Sequence, residues 1–185
     1  SALALLKMFG AEKVMSSLSS LTKTLHPDGE EETGRALAAK MAGAIPVFYA
    51  SRRNQAIVMN WKIKSNETGK IPVFCNVFPE MNHNEMTGFD ATEKSHALSS
   101  LFHLVLLRDS SDDPRVQKRM DVMETVLGKR GLPMTSIDIS DRNPWQKIFH
   151  ALLLADWFAL ATAEANGAEP EQVPMVEEFK RLMKP

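Results

Sequence analysis

The chain has 185 residues, 44% of them apolar and 24% charged. That composition suits one globular domain with a real core and excludes a disordered segment. A formal net charge of −1 gives no field to gather nucleic acid, so any anionic ligand must be held locally. The single cysteine, Cys75, rules out an internal disulfide and points to a reducing cytosol.

The first helix is expected over residues 2–24, where Leu3, Leu6, Val14, Leu18 and Leu21 recur at helical spacing. Its apolar start has no basic region before it and is broken by Lys7, so it does not read as a signal peptide. His26-Pro27-Asp28-Gly29 is a turn, and a second helix through residues 33–42 stops at Gly43. A buried strand over residues 45–50 leads into a helix over 52–67, then a strand over 71–78. Residues 79–90 form a polar loop without periodicity, residues 92–99 a short helix, and residues 101–107 a strand buried on both faces. Asp113-Pro114 starts a helix, since aspartate accepts from free amides and proline fits the first helical position. Residues 134–139 are a fourth strand. Asn143-Pro144 starts a long helix ended by Gly167, and a last helix spans 173–183. The apolar run 148–163 contains His150 and Asp156 and reads as a buried helix, not a bilayer span. Strands alternating with helices predict an α/β fold: a three-layer α/β/α sandwich around a mostly parallel sheet of about four to five strands.

Ligands of open parallel sheets sit beyond the carboxyl ends of the strands, here the loops after Ala50, Phe78, Leu107 and Ile139. The second of these, Pro79-Glu80-Met81-Asn82-His83-Asn84-Glu85-Met86, gathers carboxylates, amides and an imidazole. It reads either as a solvated loop with Asx turns or as a site. Zinc is a third reading, but the helical HExxH spacing is missing, and no metal or other cofactor is expected. Glu67 ends a helix, where the dipole is negative. It is either an ordinary surface glutamate or one whose pKa is pushed towards that of a general base. Ser51-Arg52-Arg53-Asn54 begins a helix after strand one. It is either a cap with exposed arginines or an anion site in which Ser51 and Arg52 would touch substrate.

Other polar residues read as structural. His103 is a satisfied core histidine and Cys75 a small buried hydrophobe on its strand. Ser16 to Ser20 is helix surface, His150 and Asp156 lie on different helix faces, and His26 and His96 sit in loops or at the surface. The methionines pack the core, and Trp61, Trp145 and Trp157 fill helix–sheet contacts.

Asn66-Glu67-Thr68-Gly69-Lys70, a strand, then Pro79-Glu80-Met81-Asn82-His83-Asn84-Glu85 resembles the bifunctional phosphoglucose/phosphomannose isomerases of the sugar isomerase (SIS) superfamily. Those proteins carry an Asn-Glu-Asn-Ala-Lys-like motif and a Pro-Glu-Leu-Asn-His-Asn-Glu motif at the same separation. Leu107-Arg108-Asp109 ahead of Pro114, Leu154-Ala155-Asp156, and Glu169-Pro170 with residues 173–180 match in order, so the resemblance covers nearly the whole chain. It implies a flavodoxin-type SIS domain over residues 1–185, the carboxyl-terminal half of an isomerase. Such an enzyme interconverts glucose 6-phosphate or mannose 6-phosphate with fructose 6-phosphate in glycolysis and gluconeogenesis. By the same resemblance Glu67 is the base moving a proton between C1 and C2, His83 assists ring opening, and Lys180 is a polar partner. Asn82, Asn84 and Glu85 accompany the histidine as substrate contacts. It further implies a cytoplasmic homodimer whose site takes its histidine from the neighbouring chain, with no nucleic-acid or membrane partner.

Two departures stand out. Thr68-Gly69 replaces Asn-Ala, and the glycine is expected to loosen the helix end that positions Glu67. The Ser/Thr-Gly phosphate loop and a sugar-binding arginine belong to an amino-terminal half not present in this sequence. Ser1 is therefore expected to begin a piece of a longer protein that isomerises poorly or not at all alone. Competing classes are a non-catalytic SIS-type sugar-phosphate-binding regulator, which needs no base, and a dimerisation domain built on the apolar helix from Ile148.

Overall fold

A computed structural model describes residues 12–89, 92–141 and 143–184. Helix α1 runs Glu12–Thr24 and α2 Glu31–Lys40. They are followed by β1 Ile45–Ser51, α3 Gln55–Glu67, β2 Phe74–Phe78 and β3 Phe102–Arg108. Then come α4 Pro114–Gly128, β4 Met134–Asp138, α5 Pro144–Ala165 and α6 Pro174–Leu182. Residues 2–11 of the expected first helix lie outside the described residues. The strands form one parallel sheet in the order β2-β1-β3-β4. Chain direction across the sheet reverses between β1 and β3, which makes their carboxyl ends the switch point.

Alternation along the strands divides the core. Phe48, Ala50, Val105, Leu107 and Ile137 face α2, α3 and α5, where Trp61 lies 5.1 Å from the Phe48 ring and 5.9 Å from Phe158. Val47, Tyr49, Leu104 and Leu106 face Met120, Met123 and Leu127 of α4, with Met81, Met86 and Phe89 from the segment after β2 completing that layer. The central strands are buried on both faces, which is why their sequences lose the period of two. Gly34 lets α2 touch α5: a Cβ there would meet the Cβ of Trp157 at 2.5 Å.

Several boundaries move for local reasons. Strand β2 begins at Phe74, not residue 71, because residues 68–73 are spent turning the chain out of α3. Residues 79–89 are not without structure: a 3-10 turn at Glu80–Asn82 and one α-turn at Glu85–Gly88 are too short to leave a periodic signal. The short helix after them shrinks to His96–Ser99. Cys75 is half-buried, because β2 is an edge strand, and burial pushes its thiol up, away from a reactive thiolate. His103 is buried with Nε2 2.8 Å from the Thr135 hydroxyl.

Trp157 does not sit at a helix–sheet contact. Its Nε1 donates to the Pro27 carbonyl (2.6 Å), and the Arg35 guanidinium stands 5.7 Å from its ring. Helix α5 has the length and hydropathy of a membrane span, but it fills the place of a core helix between α2, α3 and the sheet. No large apolar side chain of α5 is among the exposed ones, although Phe149, Leu152 and Leu153 are only half-buried. An uncovered apolar surface lies on α6, where Met175, Phe179, Leu182 and Met183 are all more than half exposed and no residue is buried.

Candidate active site

Glu67 is the last residue of α3, at the edge of the sheet where the strands begin. The helix end is closed by the Thr68 and Gly69 amides, which both donate to the Lys64 carbonyl (2.8 and 3.1 Å). Asn66 Nδ2 donates to the Ile71 carbonyl at 2.9 Å. Lys70 then turns the chain with φ of 56°, the one positive φ outside glycine among the described residues. The Glu67 carboxylate is exposed and has no partner among the described residues. Gly69 does not loosen this end. A Cβ at Gly69 would stand 2.6 Å from the Ser65 carbonyl oxygen, so the tight turn itself requires glycine. Gly69→Ala is expected to cost about 1–3 kcal/mol by overpacking, read as a lower denaturation midpoint. Wild-type stability in that variant would mean that the turn relaxes freely.

His83 lies beyond the opposite edge, after β2. Met81 is fully buried and roots the loop, while the His83 side chain is exposed and without a partner among the described residues. The other polar residues of the motif hold the loop in shape. Asn84 caps the following turn by accepting from the Glu85 amide (2.6 Å). Asn82 accepts from Arg119 at 3.5 Å. Glu85 reaches back over the sheet, accepting from the Tyr49 hydroxyl (2.9 Å) and from the Asn76 side-chain amide. Burial pushes the Tyr49 hydroxyl well above its usual range, and the Glu85 charge adds to it, so Tyr49 stays a proton donor in this bond.

Glu67 and His83 are therefore separated in two ways. Strand β2 alone covers about 13 Å from edge to edge. Glu67 also ends a helix on the α3 face, whereas the His83 loop packs on the α4 face. A general acid or base must stand within hydrogen-bond reach of its proton. One copy of this chain cannot bring both groups onto one hexose.

Lys180 lies on α6, exposed and paired with Glu177 at 2.7 Å. The segment leading into α6 runs beside the Glu67 turn, since Lys70 Nζ donates both to the Glu67 carbonyl (2.5 Å) and to the Gln172 carbonyl (2.6 Å). The start of α6 and the Glu67 turn thus belong to one edge of the fold.

At the switch point the structure holds a cluster that sequence reasoning missed. Ser51 is buried, accepts from the Asn54 amide as a cap, and donates to Asp112 at 2.7 Å. That geometry supports the capping reading. Arg52 and Arg53 are exposed, and Arg53 donates to the Ser111 carbonyl (2.8 Å). Lys147 enters from the first turn of α5 and donates to Asp109 (2.7 Å) and Asn54 (3.1 Å), with Lys147 and Asp109 side chains 7% and 1% exposed. Burial alone would raise the Asp109 pKa, but bonds from Lys147, Ser111 and Asn54 outweigh it and hold the group well below the usual carboxylate range. Burial raises the neighbouring Asp112, and the bond from Ser51 opposes this only in part. Among the described residues no group of His, Cys, Asp and Glu side chains is arranged to hold a metal ion.

Comparison with known proteins agrees with this architecture. Residues 30–183 match the family described as the bacterial phospho-glucose isomerase C-terminal SIS domain. Similar relatives are bifunctional phosphoglucose/phosphomannose isomerases from Thermoplasma volcanium and Aquifex aeolicus. The first is 30% identical over 83% of this chain and 48% of its own length. The second is 29% identical over 83% and 47%. The chain thus spans about half the length of these relatives. A glucose-6-phosphate isomerase like protein of Thermus thermophilus shares the fold with a TM-score of 0.65 and 18% identity, over 93% of this chain and 59% of that one. By the match over residues 30–183, the chain belongs to the bacterial phospho-glucose isomerase C-terminal SIS domain family.

Proposed function

We propose that the protein to which this chain belongs interconverts fructose 6-phosphate with glucose 6-phosphate and mannose 6-phosphate. In this reading the chain supplies the base and the ring-opening histidine, and an amino-terminal SIS half supplies the phosphate site. The observation that carries the reading is Glu67: an exposed carboxylate with no partner among the described residues, on a helix end held rigid by the Gly69 and Lys70 turn. A phosphosugar regulator has no use for a base held in this way. The relatives, both named as bifunctional isomerases and both twice as long as the matched segment, support the same assignment.

Aldose–ketose isomerisation removes a weakly acidic proton next to a carbonyl. Glu67 would take it from one carbon and return it to the next through a cis-enediol. The intermediate is planar at C2, so rotation about the C2–C3 bond would let one base serve both epimers. His83, whose imidazole can both donate and accept, would move the proton between O1 and O5 as the ring opens. Because Glu67 and His83 leave one chain at opposite edges, a complete site requires a second copy, which favours a homodimer. The uncovered face of α6 is the surface this reading gives to the amino-terminal half. It also places the enzyme in the cytosol, at a step common to glycolysis and gluconeogenesis.

A coupled assay on the full-length protein, scoring glucose 6-phosphate and mannose 6-phosphate separately, tests this. Glu67→Gln is expected to lose both products together by about two orders of magnitude or more, as for removal of a general base. Equal activity of variant and wild type, or an inactive wild type, would move the binding-module reading to first place.

A further inference from the structure

We propose that Lys70 is a positioning residue that clamps the segment carrying Lys180 against the turn carrying Glu67. The inference rests on the isomerase reading for its catalytic consequence, but the clamp itself is drawn from geometry.

Lys70 adopts φ of 56°, a conformation unfavourable for an L-residue and one that glycine or asparagine would enter more easily. What the position gains from lysine is reach. From the left-handed turn its ammonium doubles back to the Glu67 carbonyl at 2.5 Å and also meets the Gln172 carbonyl at 2.6 Å. The first bond satisfies an orphan carbonyl at the end of α3 and places a cation at the negative end of that helix. The second joins residues 102 positions apart in sequence.

Nothing else of that kind among the described residues holds the carboxyl-terminal segment. Among the described residues, the Lys70–Gln172 bond is the hydrogen bond or ion pair that links residues 169–184 to the rest of the fold; the others there are internal, such as Lys180–Glu177. Helix α6 has nine residues and none is buried. A helix so short is marginal unless its ends are fixed. Gln172 stands two residues ahead of Pro174, the first residue of α6. Fixing the Gln172 carbonyl therefore fixes where α6 departs from the Glu67 turn, and so where Lys180 stands relative to the base. A displacement of 1 Å in such a pair is enough to cost about a hundredfold in rate.

The test uses the full-length protein with Lys70→Met and Lys70→Arg. Methionine keeps an unbranched stem and the same backbone cost, so the comparison isolates the ammonium. Arginine retains donors for both carbonyls. Two readouts are needed: kcat and KM for fructose 6-phosphate, and hydrogen exchange of the amides of residues 174–184. The expected result for Lys70→Met is a fall in kcat of about tenfold or more, a smaller change in KM, and faster exchange confined to 174–184. Lys70→Arg is expected to restore both. A methionine variant with wild-type kcat, where Glu67→Gln is inactive, overturns the positioning role while leaving the isomerase reading intact. Unchanged exchange overturns the clamp. Faster exchange in a protein that never isomerises would sink the isomerase reading, and the catalytic role with it, but keep the clamp.

Discussion

Glu67→Gln and His83→Gln versions of the full-length protein, each nearly inactive alone, are expected to recover about a quarter of wild-type activity when unfolded and refolded together as a symmetric dimer. The expectation follows from the placement of the two groups. Glu67 ends α3 where the strands begin, and His83 follows β2 where the strands end, on the opposite face of the sheet. If both act on one hexose they come from different copies. A mixed dimer then has one site with both defects and one site with neither. Random pairing makes about half the dimers mixed, each with one working site of two. Activity is read against mixing ratio, with size-exclusion confirming that each variant reassembles like wild type. No recovery from variants that reassemble correctly would show that one chain completes its own site with groups from elsewhere, and the two-copy arrangement would fall.

The sequence showed the ends of this site better than its supports. The motifs around Glu67 and His83 were legible because each is dense and ordered. The strand between them was legible too, but not that they lie on opposite faces of the sheet, because the face on which a loop packs depends on partners distant in sequence. The parallel fold was legible from alternating strand and helix patterns and from the paired Asp113-Pro114 and Asn143-Pro144 starts, and both residues do cap their helices. Gly69 was misread because propensity concerns the residue itself, whereas its requirement comes from the Ser65 carbonyl across the turn. The bonds of Glu85 to Tyr49 and Asn76 were not legible, because the motif gave no sign that Tyr49, 36 positions earlier, lies beneath it. The Asp109–Lys147 pair was invisible for a similar reason. Each looks like an ordinary solvated charge next to a helix start or strand end, and only the sheet brings them together 38 residues apart.

Lys147→Met is expected to destabilise this chain by about 3–5 kcal/mol, the cost of removing one partner of a buried ion pair. That is a large fraction of the roughly 5–15 kcal/mol typical of a whole domain. The loss is not that of one favourable contact. Asp109 would stay buried without its cation, with a second desolvated carboxylate, Asp112, sharing the Asn54 amide beside it. Replacing both partners, as Lys147→Met with Asp109→Leu, is therefore expected to recover much of the loss, because it removes the orphaned charge. The pH dependence carries the sign of the cluster. Asp109 has its pKa depressed by folding, so its contribution is present above its unfolded value of about 3.9 and is lost as pH falls below it. Asp112 has its pKa raised, so it opposes folding increasingly as pH rises from about 3.9 through its folded value. Urea unfolding of wild type and Lys147→Met between about pH 3 and 7 should then show the difference widest near neutrality and narrowing in acid, where Asp109 takes up its proton. A difference that stays constant with pH would mean that Lys147 acts by packing its stem, and that the charge at the switch point contributes nothing.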